Sequence, residues 1–369
     1  MKPAIESISD LERLDDRFQD ICSNLIVPPG TLFRIVSSYL EQWGILVTPE
    51  NAAWIEKRGQ ESYRTEWRTT PGTSYNAIDN AIEIAGLGHD NKNMNAALAN
   101  IAARALIEKV RTKDREKKLV VLDVGSGTGG TTGALISVLN IMAPTVLEHC
   151  TFLLLEMAFE RHVDAMKNTL RGTNAEVLPQ TREFYEHFEG SGSGTIDLII
   201  SNAVFHHMTT TRYIDLLHSR LRDDGLVIMG DWYTAIWSHP GFFMQVMKEL
   251  GANARELLAF QQEFDVSDWQ TQEEEERLGM GERETNRQMK RFVKCLADQM
   301  QRVPRGERLL LLEGHERFTD RMKKFDEGGF LTVPGELATK YTEFVRGSIA
   351  RMYRGRDFAT VVGIAKKPL

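Results

Sequence analysis

A glycine-rich stretch near the middle of the chain has the residue types and spacing of a nucleotide-binding turn. It reads LDVGSGTGG over residues 122–130, continues an apolar run that begins at Leu119, and precedes TTGALISVLN, whose apolar residues have helical spacing. Glycines allow positive φ values and a close approach of a ligand to the backbone, while the start of a helix presents unpaired N–H groups. A strand, a glycine turn and a helix in this order predict a site for a nucleotide-like ligand.

The same stretch satisfies two different binding patterns. Gly125, Gly127 and Gly130 give G-x-G-x-x-G, the dinucleotide fingerprint, whereas Asp123 with Gly125, Gly127 and Gly129 gives D-x-G-x-G-x-G. A carboxylate beside a pyrophosphate would repel it, but S-adenosylmethionine carries a sulfonium and an ammonium. Asp123 therefore favours S-adenosylmethionine over a nicotinamide dinucleotide. The alternative is that Asp123 only caps the amides of the loop.

Two adjacent histidines, His206 and His207, follow the segment TIDLIIS and come after Asn202 and Phe205. Ligands of open α/β sheets gather at the ends of the strands, so a histidine here could take a proton from a hydroxyl or ammonium group of a substrate. The alternative is that the pair only shapes the pocket. Adjacent histidines point in different directions and no third ligand is evident, so we predict no metal.

Aromatic residues are dense in two further segments. Trp232, Tyr233 and Trp237 follow GLVIMGD and are predicted to form a wall of the substrate pocket, with plain core packing as an equal alternative. The segment ESYRTEWRTTPGTSYNAIDNA is polar and aromatic together and is a poor core helix. It is predicted to be a lid loop over the same site, with three aromatic candidates: Tyr63, Trp67 and Tyr75.

The elements that must position these residues alternate between strand and helix from Leu119 onward. Short apolar runs predict buried parallel strands at 119–124, 151–156, 175–179, 195–201 and 225–231. Helical patterns separate most of them, at 132–140, 159–172 and 211–224. The fold class is therefore α/β, with a doubly wound sheet and right-handed crossovers. Residues 358–367 are a further strand candidate.

Two regions outside this alternation are predicted to be helical. LERLDDRFQDICSNLI at 11–26, TLFRIVSSYLEQWGIL at 31–46 and residues 93–113 place apolar residues three and four apart, as does most of 240–314. We expect an N-terminal helical cap or lid at 1–118, a core at 119–239 and 315–369, and a helical insertion at 240–314 that covers the substrate.

Residues 119–231 resemble a class I S-adenosylmethionine-dependent methyltransferase. The resemblance is carried by VVLDVGSGTGG, by LLLE ending at Glu156, and by DLIISNAVFHHM at 197–208. Toward the C-terminus, HERFTDRMKKFDEGGF and FATVVGIAKK resemble the closing helix and antiparallel strand pair of that family. The resemblance implies a seven-stranded, mostly parallel sheet, S-adenosylmethionine as cofactor, and methyl transfer. We expect the methylated atom to be oxygen or nitrogen.

The resemblance also implies a set of cofactor-binding residues. Glu156 would accept hydrogen bonds from the ribose diol, and Gln180 or Thr181 in VLPQTREF would stand where the family usually has an acid for the adenine amino group. The full set of positions is Asp123, Gly125, Ser126, Gly127, Thr128, Gly129, Glu156, Met157, Gln180, Thr181, Asn202 and Ala203.

Composition narrows the class of partner. The 369 residues carry a net charge of -7, which offers no general attraction for nucleic acid, and the covering helices favour a small or medium-sized acceptor. Acidic residues near the N-terminus and the lack of a long apolar run predict a cytoplasmic protein with no membrane partner. Rival hypotheses are a nicotinamide-dependent oxidoreductase, a non-catalytic S-adenosylmethionine-binding protein, and methylation of RNA or a protein side chain. The oligomeric state, including a homodimer, stays open.

Overall fold

The computed structural model describes residues 5–23, 25–36, 40, 44–69, 72–85, 87–112, 118–156, 159–173, 175–177, 193–208, 211–232, 244, 247–264, 280–308, 318–332 and 360–368. Side chains at some helix and strand positions are not described, among them those of Tyr63, Trp67, Tyr75 and Trp232. Met157, Gln180, Thr181, Tyr233 and Trp237 lie outside the described residues.

A mixed β-sheet forms the centre of the fold. Its strands follow the order β3-β2-β1-β4-β5-β7-β6. The five strands from β3 to β5 pair in parallel, whereas β7 is antiparallel to both β5 and β6. The strands are β1 (Leu119–Val124), β2 (Cys150–Leu155), β3 (Ala175–Val177), β4 (Ile196–Asn202), β5 (Leu221–Trp232), β6 (Leu331–Thr332) and β7 (Thr360–Lys366).

Helices cover both faces of this sheet and extend beyond it. They are α1 (Ile8–Ile21), α2 (Thr31–Val36), α3 (Pro49–Thr69), α4 (Gly72–Ala85), α5 (Leu87–Thr112), α6 (Gly130–Met142), α7 (Pro144–Glu148), α8 (Phe159–Thr169), α9 (Arg212–Arg220), α10 (Ala254–Phe264), α11 (Met280–Met300) and α12 (Phe318–Glu327). Short 3-10 turns occupy Phe205–His207 and Arg305–Glu307.

The two faces of the sheet bury separate apolar clusters because side chains alternate along each strand. On β1, Leu119 and Val121 join α5, α6 and α8 in one cluster. Leu122 and Val124 join the opposite cluster, which includes α9 and Phe325 of α12. Burial on both faces explains why the strands appear as continuous apolar runs in the sequence.

A third apolar cluster, which we call the helical unit, joins two distant parts of the chain. It combines buried residues of α1–α4 with those of α10 and α11. Arg291 of α11 also donates from Nη2 to the carbonyl of Ile84 in α4, at 3.2 Å. The regions that the sequence suggested as a cap and an insertion thus share one core, whereas α5 packs against the sheet instead.

Three local expectations were wrong. The described residues of the segment predicted as a lid loop, 61–69 and 72–81, are helical and belong to α3 and α4. The segment 31–46, expected to be helical, forms α2 at Thr31–Val36, but residues 40 and 44–46 are not helical. The strand expected from residue 225 begins at Leu221, which pairs with Ile196 before a register shift; Asp224 then takes a positive φ of 68°. Lys109 of α5 holds that bend by donating to the carbonyl and carboxylate of Asp224.

Gly30 ties the start of α2 to α1 and α3. Its N–H donates to both carboxylate oxygens of Asp15, at 3.0 and 2.8 Å. Its φ is +85°, and a Cβ there would collide with the backbone carbonyl oxygen of Arg58. Gly44 has a similar φ of +74° but no atom within 4 Å of a Cβ.

We therefore predict different costs for the same substitution at these two glycines. Gly44→Ala should lose only the backbone preference, about 1 kcal/mol of stability, whereas Gly30→Ala adds a collision with backbone and should lose about 3 kcal/mol or more. Thermal unfolding midpoints of the two variants measure the difference. Equal midpoints would contradict the packing of α2 against α3.

Candidate functional site

The glycine turn between β1 and α6 is held open by hydrogen bonds to the end of β2. The N–H groups of Gly125 and Ser126 donate to the carbonyl of Leu155, at 2.8 and 3.2 Å. Gly125, Gly127 and Gly129 have φ values of 65°, 53° and 80°, a left-handed backbone that favours glycine. The turn therefore continues the pairing of β1 with β2 beyond the last strand residue.

Two of these glycines have opposite surroundings. A Cβ at Gly125 would collide with Val204, so glycine is required there by packing. A Cβ at Gly127 would meet nothing within 4 Å, so the turn borders open space at this residue. The Oγ atom of Ser126 is buried and makes no hydrogen bond within the described part of the chain. The turn thus has room for a ligand and a buried hydroxyl group beside it.

Asp123 lies at the end of β1 and is 1% exposed. It accepts a hydrogen bond from Thr132 Oγ1 at 2.6 Å and another from the Thr132 N–H, in the first turn of α6. Burial, together with the nearby charge of Glu156, raises the pKa of this carboxyl to about 7. Asp123 therefore caps the helix rather than the amides of the loop.

Glu156 directly follows β2 and lies against the glycine turn. Its Oε2 accepts a hydrogen bond from the N–H of Gly127 at 2.6 Å. The turn is thus flanked by two acids, Asp123 on the side of α6 and Glu156 on the side of β2. This local charge is suited to a cationic ligand and unfavourable for a phosphate.

The chain leaves β4 through a sharp turn, and the two histidines follow directly after it. Ala203 has a φ of 55°, a conformation that costs a residue with a Cβ about 1–2 kcal/mol. Its N–H donates to the carbonyl of Gly230 in β5 at 2.8 Å. The following 3-10 turn places the rings of His206 and His207 with their centroids 4.0 Å apart.

His206 belongs to a buried chain of ionisable groups that the sequence patterns did not reveal. Its Nδ1 is 2.7 Å from Oδ1 of Asp231, and Oδ2 of Asp231 accepts a hydrogen bond from Arg321 of α12. The three side chains are 1%, 1% and 0% exposed. With the Nδ1 proton donated to Asp231, the Nε2 atom of His206 carries the lone pair that a general base needs.

Asn95 of α5 connects the glycine turn to the end of β4. Its Oδ1 accepts from Thr131 Oγ1 at 2.6 Å and from Asn202 Nδ2 at 2.7 Å. The neighbouring Met94 packs beside Gly230 of β5. Neither residue belongs to a recognisable motif, since both lie in a helix that precedes the sheet in sequence.

Helix α3 lies against the histidine turn. Gln60 Nε2 donates to Met208 Sδ at 3.2 Å, directly after His207. Among the expected site residues, the structure therefore brings together the glycine turn, Asp123, Glu156, Asn202, Ala203 and both histidines. Trp232 ends β5 nearby, while Tyr63 and Trp67 belong to α3 and Tyr75 to α4.

Within the described ranges, no cluster of three or more histidine, cysteine or acidic residues could hold a metal ion. The helices described here also include none with the length and apolar character needed to cross a membrane.

Comparison with known proteins gives structural likenesses only. No protein-family model and no curated protein matches the sequence. Solved structures with a similar fold include the carbon methyltransferase CurJ, with 11% identity over 98% of this chain and 94% of that chain and a TM-score of 0.40. The plantazolicin methyltransferase BpumL, solved in complex with SAH, has 10% identity over 86% and 98% and a TM-score of 0.42.

A third example is an S-adenosylmethionine-dependent methyltransferase from Mesorhizobium loti, with 12% identity over 72% of this chain and 96% of that chain and a TM-score of 0.34. These likenesses concern the fold alone. The sheet itself, with five parallel strands and an antiparallel strand beside β5, is the mostly parallel α/β sheet that the sequence predicted.

The raised pKa of Asp123 predicts a pH-dependent loss of stability. In the unfolded chain the carboxyl ionises near its ordinary value of 3.8, whereas in the folded protein it holds its proton up to about 7. Stability should therefore fall as pH rises from about 4 to 7, relative to Asp123→Asn, and the difference should stay constant at higher pH. Thermal unfolding midpoints across this range measure it.

The matched control is Asp223→Asn, because the Asp223 side chain is 74% exposed. Its midpoint should follow that of the parent protein at every pH. A parent protein and an Asp123→Asn variant whose midpoints run parallel from pH 4 to 8 would show that Asp123 is not desolvated.

Proposed function

We propose that this protein transfers the methyl group of S-adenosylmethionine to a small or medium-sized acceptor, at oxygen or nitrogen, in a covered pocket at the carboxyl edge of the sheet. The observation that carries the proposal is the pair of acids, Asp123 and Glu156, on either side of a glycine turn with open space at Gly127. A ligand with a sulfonium and an ammonium is attracted by this arrangement.

The residues present fit this ligand. The space at Gly127 allows a ligand close to the backbone, Ser126 supplies a buried hydroxyl group, and Glu156 lies where a ribose diol could donate to it. Bound S-adenosylmethionine supplies a methyl group already activated by the sulfonium. What the protein must then do is align the acceptor with that methyl group and exclude water.

His206 is the candidate general base. Asp231 orients its ring through Nδ1, and Arg321 neutralises the charge of Asp231, so the imidazole stays in the tautomer that accepts a proton at Nε2. A base is needed when the acceptor arrives protonated, as a hydroxyl or an ammonium group. This requirement agrees with the proposed transfer to oxygen or nitrogen but does not by itself select the methylated atom.

The helical unit is the proposed cover of the substrate. The contact of Gln60 with Met208 brings α3 of that unit to the histidine turn, and α10 and α11 share its core. A site closed by packed helices suits a small acceptor better than a nucleic acid duplex. The proposed boundary of the cover lies before α5, because α5 packs on the sheet.

Two rivals make different use of the same site. A nicotinamide-dependent oxidoreductase would need the N–H groups of the turn for a pyrophosphate, but that of Gly127 is donated to Glu156. A non-catalytic S-adenosylmethionine-binding protein needs no general base. The proposed role of the His206–Asp231 pair therefore favours an enzyme.

We expect calorimetric titration at pH 8, where Asp123 is ionised, to give micromolar binding of S-adenosylmethionine and S-adenosylhomocysteine and none of NADH. Gly127→Ala should weaken both adenosyl ligands at least about tenfold, because its Cβ enters the ligand space. The matched control is Gly172→Ala, since Gly172 also has a positive φ of +80° with nothing within 4 Å of a Cβ. Binding of NADH alone would reject the proposal.

A second test separates catalysis from binding. His206→Gln should retain affinity for S-adenosylmethionine within about twofold but reduce methyl transfer at least about 100-fold. The assay follows tritiated methyl groups into the small-molecule fraction of a cell extract, with His149→Gln as the control. Asp231→Asn should reduce transfer similarly and also lower the unfolding midpoint, because it leaves the buried Arg321 without its carboxylate.

Undiminished transfer by His206→Gln would reassign His206 to the wall of the pocket. Absence of transfer by the parent protein with every extract fraction, despite tight binding of S-adenosylmethionine, would favour the non-catalytic rival.

A further inference from the structure

Asn95 has an asymmetric set of hydrogen bonds. Its Oδ1 accepts two, from Thr131 in the first turn of α6 and from Asn202 at the end of β4. Its Nδ2 makes no hydrogen bond to any of the described residues. The amide is therefore held firmly through its oxygen, and its nitrogen remains a donor at the edge of the glycine turn.

The position of that nitrogen is restricted by the start of α6. A Cβ at Gly130 would lie 2.9 Å from Asn95 Nδ2, so glycine at this position allows the amide to pack against the helix. Gly129, the residue before the helix, provides no side-chain cap. Asn95 Nδ2 thus lies beside the start of α6, where the backbone N–H groups are also donors and that of Thr132 is bonded to Asp123.

Charged and neutral groups both surround the turn. Asp123, bonded to Thr132 in the first turn of α6, and Glu156, beside Gly127, are acids, whereas Asn95 offers a neutral donor near the positive end of the α6 dipole. A zwitterionic group bound across the turn has its ammonium attracted by the acids and its carboxylate by the donors.

We propose that Asn95 binds the carboxylate of the cofactor's amino-acid end and is a cofactor-binding residue contributed from outside the α/β core. This inference rests on the proposed use of S-adenosylmethionine and adds a residue to that site. It also makes α5 part of the cofactor site, since the neighbouring Met94 packs beside Gly230 and fixes the helix on β5.

Asn95→Asp is the sharpest test, because aspartate keeps an oxygen for Thr131 and Asn202 and replaces only the donor nitrogen by an anionic oxygen. The ligands are S-adenosylmethionine and decarboxylated S-adenosylmethionine, which differ by the carboxylate. We expect the variant to bind S-adenosylmethionine at least about tenfold more weakly and decarboxylated S-adenosylmethionine no more weakly than the parent protein does.

The matched control is Asn100→Asp, on the same helix, where Asn100 donates to the carbonyl of Ala96 instead. It should leave the ratio of the two affinities unchanged. If Asn95→Asp does not fold, Asn95→Ala can replace it, because the two affinities are compared within one variant. The affinity for S-adenosylmethionine divided by that for decarboxylated S-adenosylmethionine should then fall toward unity.

Each outcome has one meaning. Equal weakening of both ligands by Asn95→Asp would overturn the inference and leave Asn95 with a purely structural role. A parent protein that binds neither ligand would instead reject the proposed function, before Asn95 is tested.

Discussion

The site depends on the hydrogen bonds from Gly125 and Ser126 to the carbonyl of Leu155. They extend the pairing of β1 with β2 by one step, so the chain must turn directly beyond the sheet, and only a run of positive φ values allows it to do so. This turn brings Gly127 to Glu156, aims α6 at Asp123 and leaves Val204 packed over Gly125. Without this continuation of the sheet, the acids and the turn would not meet.

The buried acids of the site differ in how their charge is accommodated. Asp231 has a guanidinium, Arg321, and a histidine at its two oxygens, so the protein itself balances it. Asp123 meets the neutral donors of Thr132, and burial therefore raises its pKa. The first arrangement suits an acid that orients another residue permanently. The second suits an acid whose compensating charge arrives from outside.

Sequence reasoning succeeded where the signal is local. The strands from β1 to β5, the glycine turn, Glu156 and the histidines are encoded in short runs of neighbouring residues, and each lies near its expected position. Asn95, Asp231 as the partner of His206, and Arg321 depend on contacts across 25 to 107 positions of the chain, which no local pattern reports. The polar, aromatic segment of α3 and α4 was wrongly predicted to be a loop. Its apolar side packs on other helices and not on the sheet.

The core of the helical unit has a consequence for synthesis of the chain. Its apolar residues run from Leu11 to Ala85 and then from Met247 to Val303, with the whole central sheet between them except the last two strands. A ribosome delivers the first part long before the second, so α1–α4 must wait for their partners while the strands β1–β5 emerge and pair. Contacts of such long separation form slowly, and an apolar face exposed in the meantime is open to association. A nascent chain that stalls before residue 280 would therefore expose the apolar face of α1–α4 to chaperones that bind such surfaces.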